Sequence, residues 1–524
     1  MISALPGRLL AGTALAFSLA CTASAADLRI AVSSAATALD PDFQNATPNI
    51  AISRNMFETL TKMDADSRLV PGLAQSWRMV NDTTWEFKLR PAKFHDGSTL
   101  TAEDVIWSLD RPATITNSPA AFTIFTKAII GKKVIDAQTI QLTTATPYPL
   151  LPTDLTSIFI VSKAATEGVP SSDFNTGRGM VGTGPYKFVS FVRDDRVVVA
   201  RNPDYWGAKP EWDKVEIRFI PSDPARLAAM LAGDVDAIDN VPTTDIETVK
   251  ADKRFSFVAK KSQRLVFLFL DSGRDVAPGV TDLAGKPLDK NPMKDVRVRR
   301  AINMAIDRGA IRERIMTGLA YPTNNLVTDA MQGFDPKLEK VPFNPTEAKK
   351  LLADAGYPNG FAMTLASPNN RLINDSKVAQ AVAQMLTRVG IKTQVDAMPF
   401  MSIAGRGQKG EFAFSMMAWG VQTAEASSPV RALVACADKD KGWGVVNWGN
   451  YCNKSVDALL TQAVATMDDK ARTALLQQTV DKVIDDVALV PLYFQATTWA
   501  AKKSVGIVAR TDEVTSAESF KPTK

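Results

Sequence analysis

The stretch KVEIRFIPSDPARLAAMLAGDVDAID, residues 214–239, carries a strand, a helix and a second strand in quick succession. Val215, Ile217 and Phe219 alternate with polar residues, the period of a half-buried strand. Asp223 is placed to cap a helix, Pro224 fits its first position, where no backbone N–H is needed, and Gly233 marks its stop. Apolar residues resume up to Asp239. A strand–helix–strand unit of this kind belongs to an open sheet, so the fold class expected is α/β.

Working outward, the same signals recur. DLRIAVSSAATALDP, 27–41, alternates Leu28, Ile30 and Val32 before a loop of small residues. TWEFKLRP, 84–91, sets Trp85, Phe87 and Leu89 on one face. FNPTEAKKLLADAGYPNGF, 343–361, reads as a helix with Asn344 as cap, Pro345 next, Glu347 closing the box and Gly356 as stop. DVRVRRAINMAIDR, 295–308, spaces Val298, Ile302, Ala305 and Ile306 as a helix face, with Arg297, Arg299 and Arg300 expected on its solvated side. No internal repeat or low-complexity linker interrupts the pattern.

The single histidine, His95, lies in KFHDGSTLTAEDVIWSLDR, 93–111. Asp96-Gly97 makes a tight turn, and Thr101 with Asp104 forms a capping box ahead of Val105, Ile106 and Leu109. These neighbours give His95 a structural corner rather than chemistry. One histidine excludes an H-E-x-x-H zinc site, and neither a G-x-S-x-G elbow nor a P-loop is present. GRGQKG, 405–410, fits G-x-G-x-x-G by letter, but Phe412, Phe414 and Met416 follow at strand spacing, so no helix N-terminus is available to a phosphate. The acid pairs Asp194-Asp195 and Asp485-Asp486 read as turn or helix-surface residues. No catalysis, cofactor or metal is expected; an exported hydrolase would need a nucleophile and a base that do not show.

The 524 residues exceed what one core supports, so two or three domains are expected. The formal charge of +5 is dispersed and forms no basic stripe, so nucleic acid is not an expected partner. Residues 1–25 have the form of a secretory leader: Arg8, a short apolar run, and the small-residue site Ala23-Ser24-Ala25. Lipid attachment at Cys21 is the alternative, disfavoured by Ser18 where a lipoprotein leader carries leucine. Export through a cleaved leader to the periplasm, as a monomer, is the expectation. In that oxidising compartment Cys436 and Cys452, with fifteen residues between them, read as a disulfide, worth about 3 kcal/mol for a loop of that size.

Several segments together resemble the family 5 extracellular solute-binding proteins, the dipeptide-, oligopeptide- and nickel-binding proteins of bacterial ABC importers. They are NMFETLTKMDADSRLVPGLAQSW, WEFKLRPAKFHDGSTLTAEDVIWSL, GTGPYKF at 182–188, RNPDYWG, LAGDVDAID, DVRVRRAINMAIDR, AKKLLADAGYPNG and AVAQMLTRVGIKTQV, in the family's order along the mature chain. The resemblance implies a two-lobed periplasmic-binding-protein clamp with an extra subdomain in lobe I. By likeness, lobe I covers 26–263, with the inserted subdomain at about 61–180, and returns at 491–524, while lobe II covers 264–490. It also implies a partner, an ABC permease of transmembrane subunits with cytoplasmic ATPases. Closure requires a ligand that binds the closed form better than the open one.

The segment MMAWGVQTAEASSPVRALVAC, 416–436, is similar to the family stretch that lines the cleft, which nominates Trp419 and Gly420 as ligand neighbours. Peptide binders carry W-x-x-D there, the aspartate holding the peptide ammonium; this chain has Gln422, and Glu425-Ala426 where dipeptide binders have D-P. Glutamine accepts a hydrogen bond but neutralises no cation. Either Glu425 takes over the anchoring, or the ligand lacks a free amino terminus. The loop ASPNNRLINDSKVAQ, 366–380, follows a strand, where open α/β sheets bind ligands. The resemblance makes Arg371 the expected partner of a ligand carboxylate, with Lys377 as its alternative. Ser34, after the first strand, occupies the matching place on lobe I. Peptides or peptide-like solutes are the expected cargo, and an opine, oligosaccharide, aromatic acid or metal chelate the alternative.

Overall fold

The computed structural model describes Met1, residues 27–421 and residues 423–523; the rest of the leader at 1–25, with Cys21, and Gln422 lie outside them. The opening stretch forms the strand Lys214–Phe219, the helix Asp223–Ala232 and the strand Ala237–Asp239. Ser222 is the cap residue and Asp223 the first helical one, a one-residue difference from the sequence reading, and Gly233 ends the helix at φ 85°. The helix carries the chain across a third strand, Asp27–Val32, which pairs in parallel with both neighbours.

This unit belongs to an eleven-stranded sheet. Its strands are β1 Asp27–Val32, β2 Tyr186–Val192, β3 Arg196–Arg201, β4 Lys214–Phe219, β5 Ala237–Asp239, β6 Phe255–Leu270, β7 Ala320–Pro322, β8 Phe361–Pro368, β9 Ile391–Met398, β10 Phe414–Gly420 and β11 Leu489–Lys502. The order is β2-β3-β4-β1-β5-β11-β6-β10-β8-β9, with β7 on β11. Strands β6 and β11 are the longest and run antiparallel through the middle, joining a half around β1 to a half around β8. Their register breaks between Lys261 and Leu265, a bulge that bends the ribbon where the halves meet.

Residues between 74 and 144 build a separate four-stranded antiparallel sheet, Ala74–Asn81, Thr84–Leu89, Thr139–Thr144 and Ile129–Asp136 in spatial order. The helix Ala102–Asp110 lies over it, and the capping box of Thr101 and Asp104 is formed. Phe87, Leu89, Val105, Leu109, Ile140 and Leu142 fill its own core.

His95 turns the corner between this unit and the main sheet. Its backbone N–H donates to Gly182 O at 2.9 Å, Nδ1 accepts from the Gly182 N–H at 3.3 Å, and Nε2 bonds to Gly184 O at 3.1 Å. A β-carbon on Gly182 would stand 2.0 Å from Met56 O, so only glycine admits this approach. Burial pushes the imidazole down to about 4, because its ring is held neutral. The folded chain therefore binds fewer protons than the unfolded chain as pH falls below about 6.5. His95→Gln is expected to gain about 1–2 kcal/mol relative to the natural chain between pH 7 and 5, read by urea melts at the two pH values. An unchanged difference would remove the assignment.

Two further readings meet the structure. In the helix Val296–Ala305, Arg297 and Arg300 are exposed, but Arg299 is buried and donates to the carbonyls of Asp486, Val487, Met293 and Lys294. It ties helix ends together, since orphan carbonyls there need donors, and corrects the expectation of three solvated arginines. Cys436 and Cys452 form the disulfide, with Cα atoms 4.5 Å apart. Among the described residues no helix is long and apolar enough to cross a membrane.

Candidate functional site

The loops that leave the carboxyl ends of β1, β5 and β8 converge on a cavity of about 760 Å³. Ser33 and Ser34 come from β1, Asp239 to Asp245 from β5, and Asn369 to Asp375 from β8. The bulge of β6 contributes Arg264, its partner β11 contributes Gln495 and Thr497, and the C-terminal segment adds Glu513 and Thr515. Both halves of the sheet therefore wall one space, of the size that encloses small ligands.

Four helices start at this space. Those at Asp223–Ala232, Ile246–Ala251 and Asp375–Arg388 bring their own acids, Asp223, Asp245 and Asp375, to the positive end of the helix. The fourth, Thr47–Met56, is capped by Ala46 and has no acid in its first turn. Its N-terminus adds positive potential to the cavity.

The fixed charges divide into spent and unspent. Arg264 pairs with Glu513, Nη2 to Oε2 at 2.5 Å, and the Ser262 hydroxyl donates to the other carboxylate oxygen at 2.8 Å. Glu513 has a left-handed φ of 64°, a conformation a side chain this size adopts only when its surroundings fix it. Asp375 accepts the backbone N–H groups of Arg371, Leu372 and Ser376. Arg371 differs. Its guanidinium lies 5.3 Å over the Phe400 ring, and among the described residues no carboxylate comes within ion-pair distance. Loss of water, and then the nearby Arg264 cation, push it down to about 10 against the pull of the Glu513 carboxylate. It remains a cation at neutral pH, facing the cavity.

The residues expected from sequence separate in space. Ser34 and Arg371 line the cavity from opposite halves, and Lys377 joins them. Gly420 pairs in register with Arg264 and is not among the residues that line the cavity; a β-carbon there would make only ordinary contact, 3.7 Å from Nη2. Trp419 sits behind, half-buried against the second core, with Nε1 donating to Ser428 Oγ at 3.3 Å. Glu425 is turned elsewhere. Ala424 takes a left-handed φ of 55°, after which the Glu425 carboxylate accepts from the Ser427 hydroxyl and lies 3.3 Å from Arg472 Nε. It is buried, spent on Arg472, and is not among the residues that line the cavity, so it does not replace an anchoring acid. Asp239, Arg264, Gln495 and Glu513 were not singled out from sequence. Asp239 had a signal, since it ends a strand; Glu513 had none.

The two halves also touch beside the cavity. Asn374 Nδ2 donates to Thr243 Oγ1 at 3.1 Å, and Lys127 Nζ donates to Asp440 O at 3.2 Å. The Tyr148 hydroxyl donates to Asp154 at 2.6 Å, and burial raises that carboxyl to about 7 against the opposing pull of Arg431. Among the described residues no group of three His, Cys, Asp or Glu side chains could hold a metal ion.

Comparison with known proteins bears on the family and the fold. The description "Bacterial extracellular solute-binding proteins, family 5 Middle" fits residues 68–441. The glutathione-binding protein GsiB of Pectobacterium atrosepticum is 30% identical over 510 residues, 94% of each chain. The binding protein AgaA of A. tumefaciens R10, solved with agropinic acid, is 25% identical with a TM-score of 0.77, covering 95% of this chain and 99% of that one. DppA of Helicobacter pylori, solved with the peptide STSA, is 22% identical with a TM-score of 0.77, covering 95% and 98%, and speaks for the fold alone.

Proposed function

Because the chain belongs to the family 5 bacterial extracellular solute-binding proteins, we propose that its cargo is a peptide-like solute bearing a carboxylate. The chain is the solute-binding component of an ABC importer and is not an enzyme. The observation that carries the proposal is Arg371, a cation that lines the cavity and, among the described residues, has no carboxylate within ion-pair distance. A free guanidinium in that position offers a ligand carboxylate two parallel charge-assisted hydrogen bonds. Glutathione, the ligand named for the 30% identical relative, carries such groups.

The clamp assignment follows the same proposal. Lobe I is 26–263, with the insert at about 61–180, and 491–524; lobe II is 264–490; the bulge at 262–264 is the hinge. Ligand contacts to Ser34 on one wall and Arg371 on the other favour the closed form over the open one. Delivery is to a permease with cytoplasmic ATPases, after export to the periplasm through the leader at 1–25. Titration calorimetry against glutathione, dipeptides and agropinic acid tests the ligand class, with mass spectrometry of whatever co-purifies. Binding by none of these carboxylates would end the reading.

One observation favours an opine or another solute without a free ammonium: Gln422 stands where peptide binders carry an acid. Gln422→Asp separates the two. Peptide affinity is expected to rise by about one to two decades if the ammonium reaches that position, and to stay level if it does not.

A further inference from the structure

We infer that Asp239 is the seat of a cationic amine, so that the cargo spans the cavity as a zwitterion, ammonium at Asp239 and carboxylate at Arg371. This rests on the reading of the cargo as peptide-like.

The other acids of the cavity either carry more donors than Asp239 or are less buried. Glu513 holds Arg264 and the Ser262 hydroxyl, Asp375 holds three backbone N–H groups, and Asp223 holds Arg226. Asp245 receives the Thr244 hydroxyl at the start of its helix. Asp239 ends β5 with only 8% of its surface exposed, and it lines the cavity. Its Oδ1 accepts the Ser33 N–H at 2.8 Å and lies 3.7 Å from Arg226 Nε. That arginine spends its remaining donors on Asp223 and on the carbonyls of Ile220 and Asn240. Oδ2 has one partner, the Ser33 hydroxyl at 3.4 Å, which is long for an O–H···O bond.

A carboxylate oxygen has room for two donors, so Oδ2 retains capacity for an ammonium. Burial raises Asp239 to about 6 against the pull of Arg226 and the Ser33 hydrogen bonds. Asp239 belongs to the half around β1 and Arg371 to the half around β8, so a zwitterion bound to both draws the walls together. The loss of the acid at 422 then moves the amine anchor instead of abolishing it.

The test is titration calorimetry with glutathione and dialanine, each with a free and an N-acetylated amine. Acetylation is expected to cost the natural chain roughly ten- to hundred-fold in affinity. Asp239→Asn keeps an acceptor for the Ser33 N–H while removing the charge. It is expected to impose the same loss on the free-amine probes and to erase the discrimination. Glu247→Gln, on the same half but outside the cavity lining, should leave both affinities unchanged, and Asp239→Ser serves if the asparagine variant melts early. Equal binding of free and acetylated probes, or discrimination surviving in both Asp239 variants, overturns the anchor while leaving the peptide-like reading intact. Failure of both free-amine probes to bind overturns both.

Discussion

Arg111→Met is expected to cost about 3–5 kcal/mol of stability, the largest loss of any single change considered. Arg111 follows the helix Ala102–Asp110, and its guanidinium donates to both oxygens of Asp40, at 2.7 Å each, and to Asp42 at 2.6 Å. The arginine side chain is 3% exposed and both aspartates are fully covered. The three residues pin the helix of the four-stranded unit to the loop after β1. Burial, aided by Asp40, raises Asp42 to about 7 even with the arginine present. Removing the cation leaves two carboxylates without water or counterion, and at neutral pH at least one must take up a proton. Because protonation relieves that conflict, the penalty should shrink as pH falls from about 7 towards about 4. Urea melts at pH 7.5 and 4.5 measure it, and Arg111→Met combined with Asp40→Asn and Asp42→Asn should recover much of the loss. A midpoint unmoved at pH 7.5 would show that water reaches the acids.

The local signals of the chain were legible. Alternation at 215–219, the capping box of Thr101 and Asp104, and the stop at Gly233 each depend on residues within a few positions of one another. Such short-range chemistry survives into the fold because nothing distant competes with it. Arg299 misled for the complementary reason: its partners, the carbonyls of Asp486 and Val487, lie almost two hundred positions away and turn a surface spacing into a buried knot. The site divides along the same line. Strand ends announce loops, so Ser34 and Arg371 were within reach of a reading that places ligands at carboxyl ends of strands. Glu425 failed because a left-handed Ala424, which no composition rule marks, turns the following carboxylate onto Arg472. The pair of Arg264 and Glu513 is 249 positions apart, and only the return of the C-terminus to the first half brings it together.

Arg371→Gln is expected to weaken a carboxylate ligand by about 2–4 kcal/mol, roughly 30- to 1,000-fold, without destabilising the protein. The second half of that expectation distinguishes a binding residue from a structural one. Arg299 and Arg111 spend their donors on fixed carbonyls and carboxylates, so losing them leaves partners stranded. Arg371 strands nothing: its side chain rests over Phe400, and the two charges that act on it, Arg264 and Glu513, already hold each other. The melting midpoint should therefore hold as affinity collapses. Arg371→Lys should restore only part of the binding, because an ammonium is a point charge and cannot grip both carboxylate oxygens in one plane. Amidating the ligand's carboxylate should cost the natural chain about as much as the glutamine variant loses, and should cost that variant little further. Calorimetry with glutathione and its amide closes this cycle. If affinity stays level while the midpoint falls, Arg371 holds the loop and the anion seat lies elsewhere on the wall.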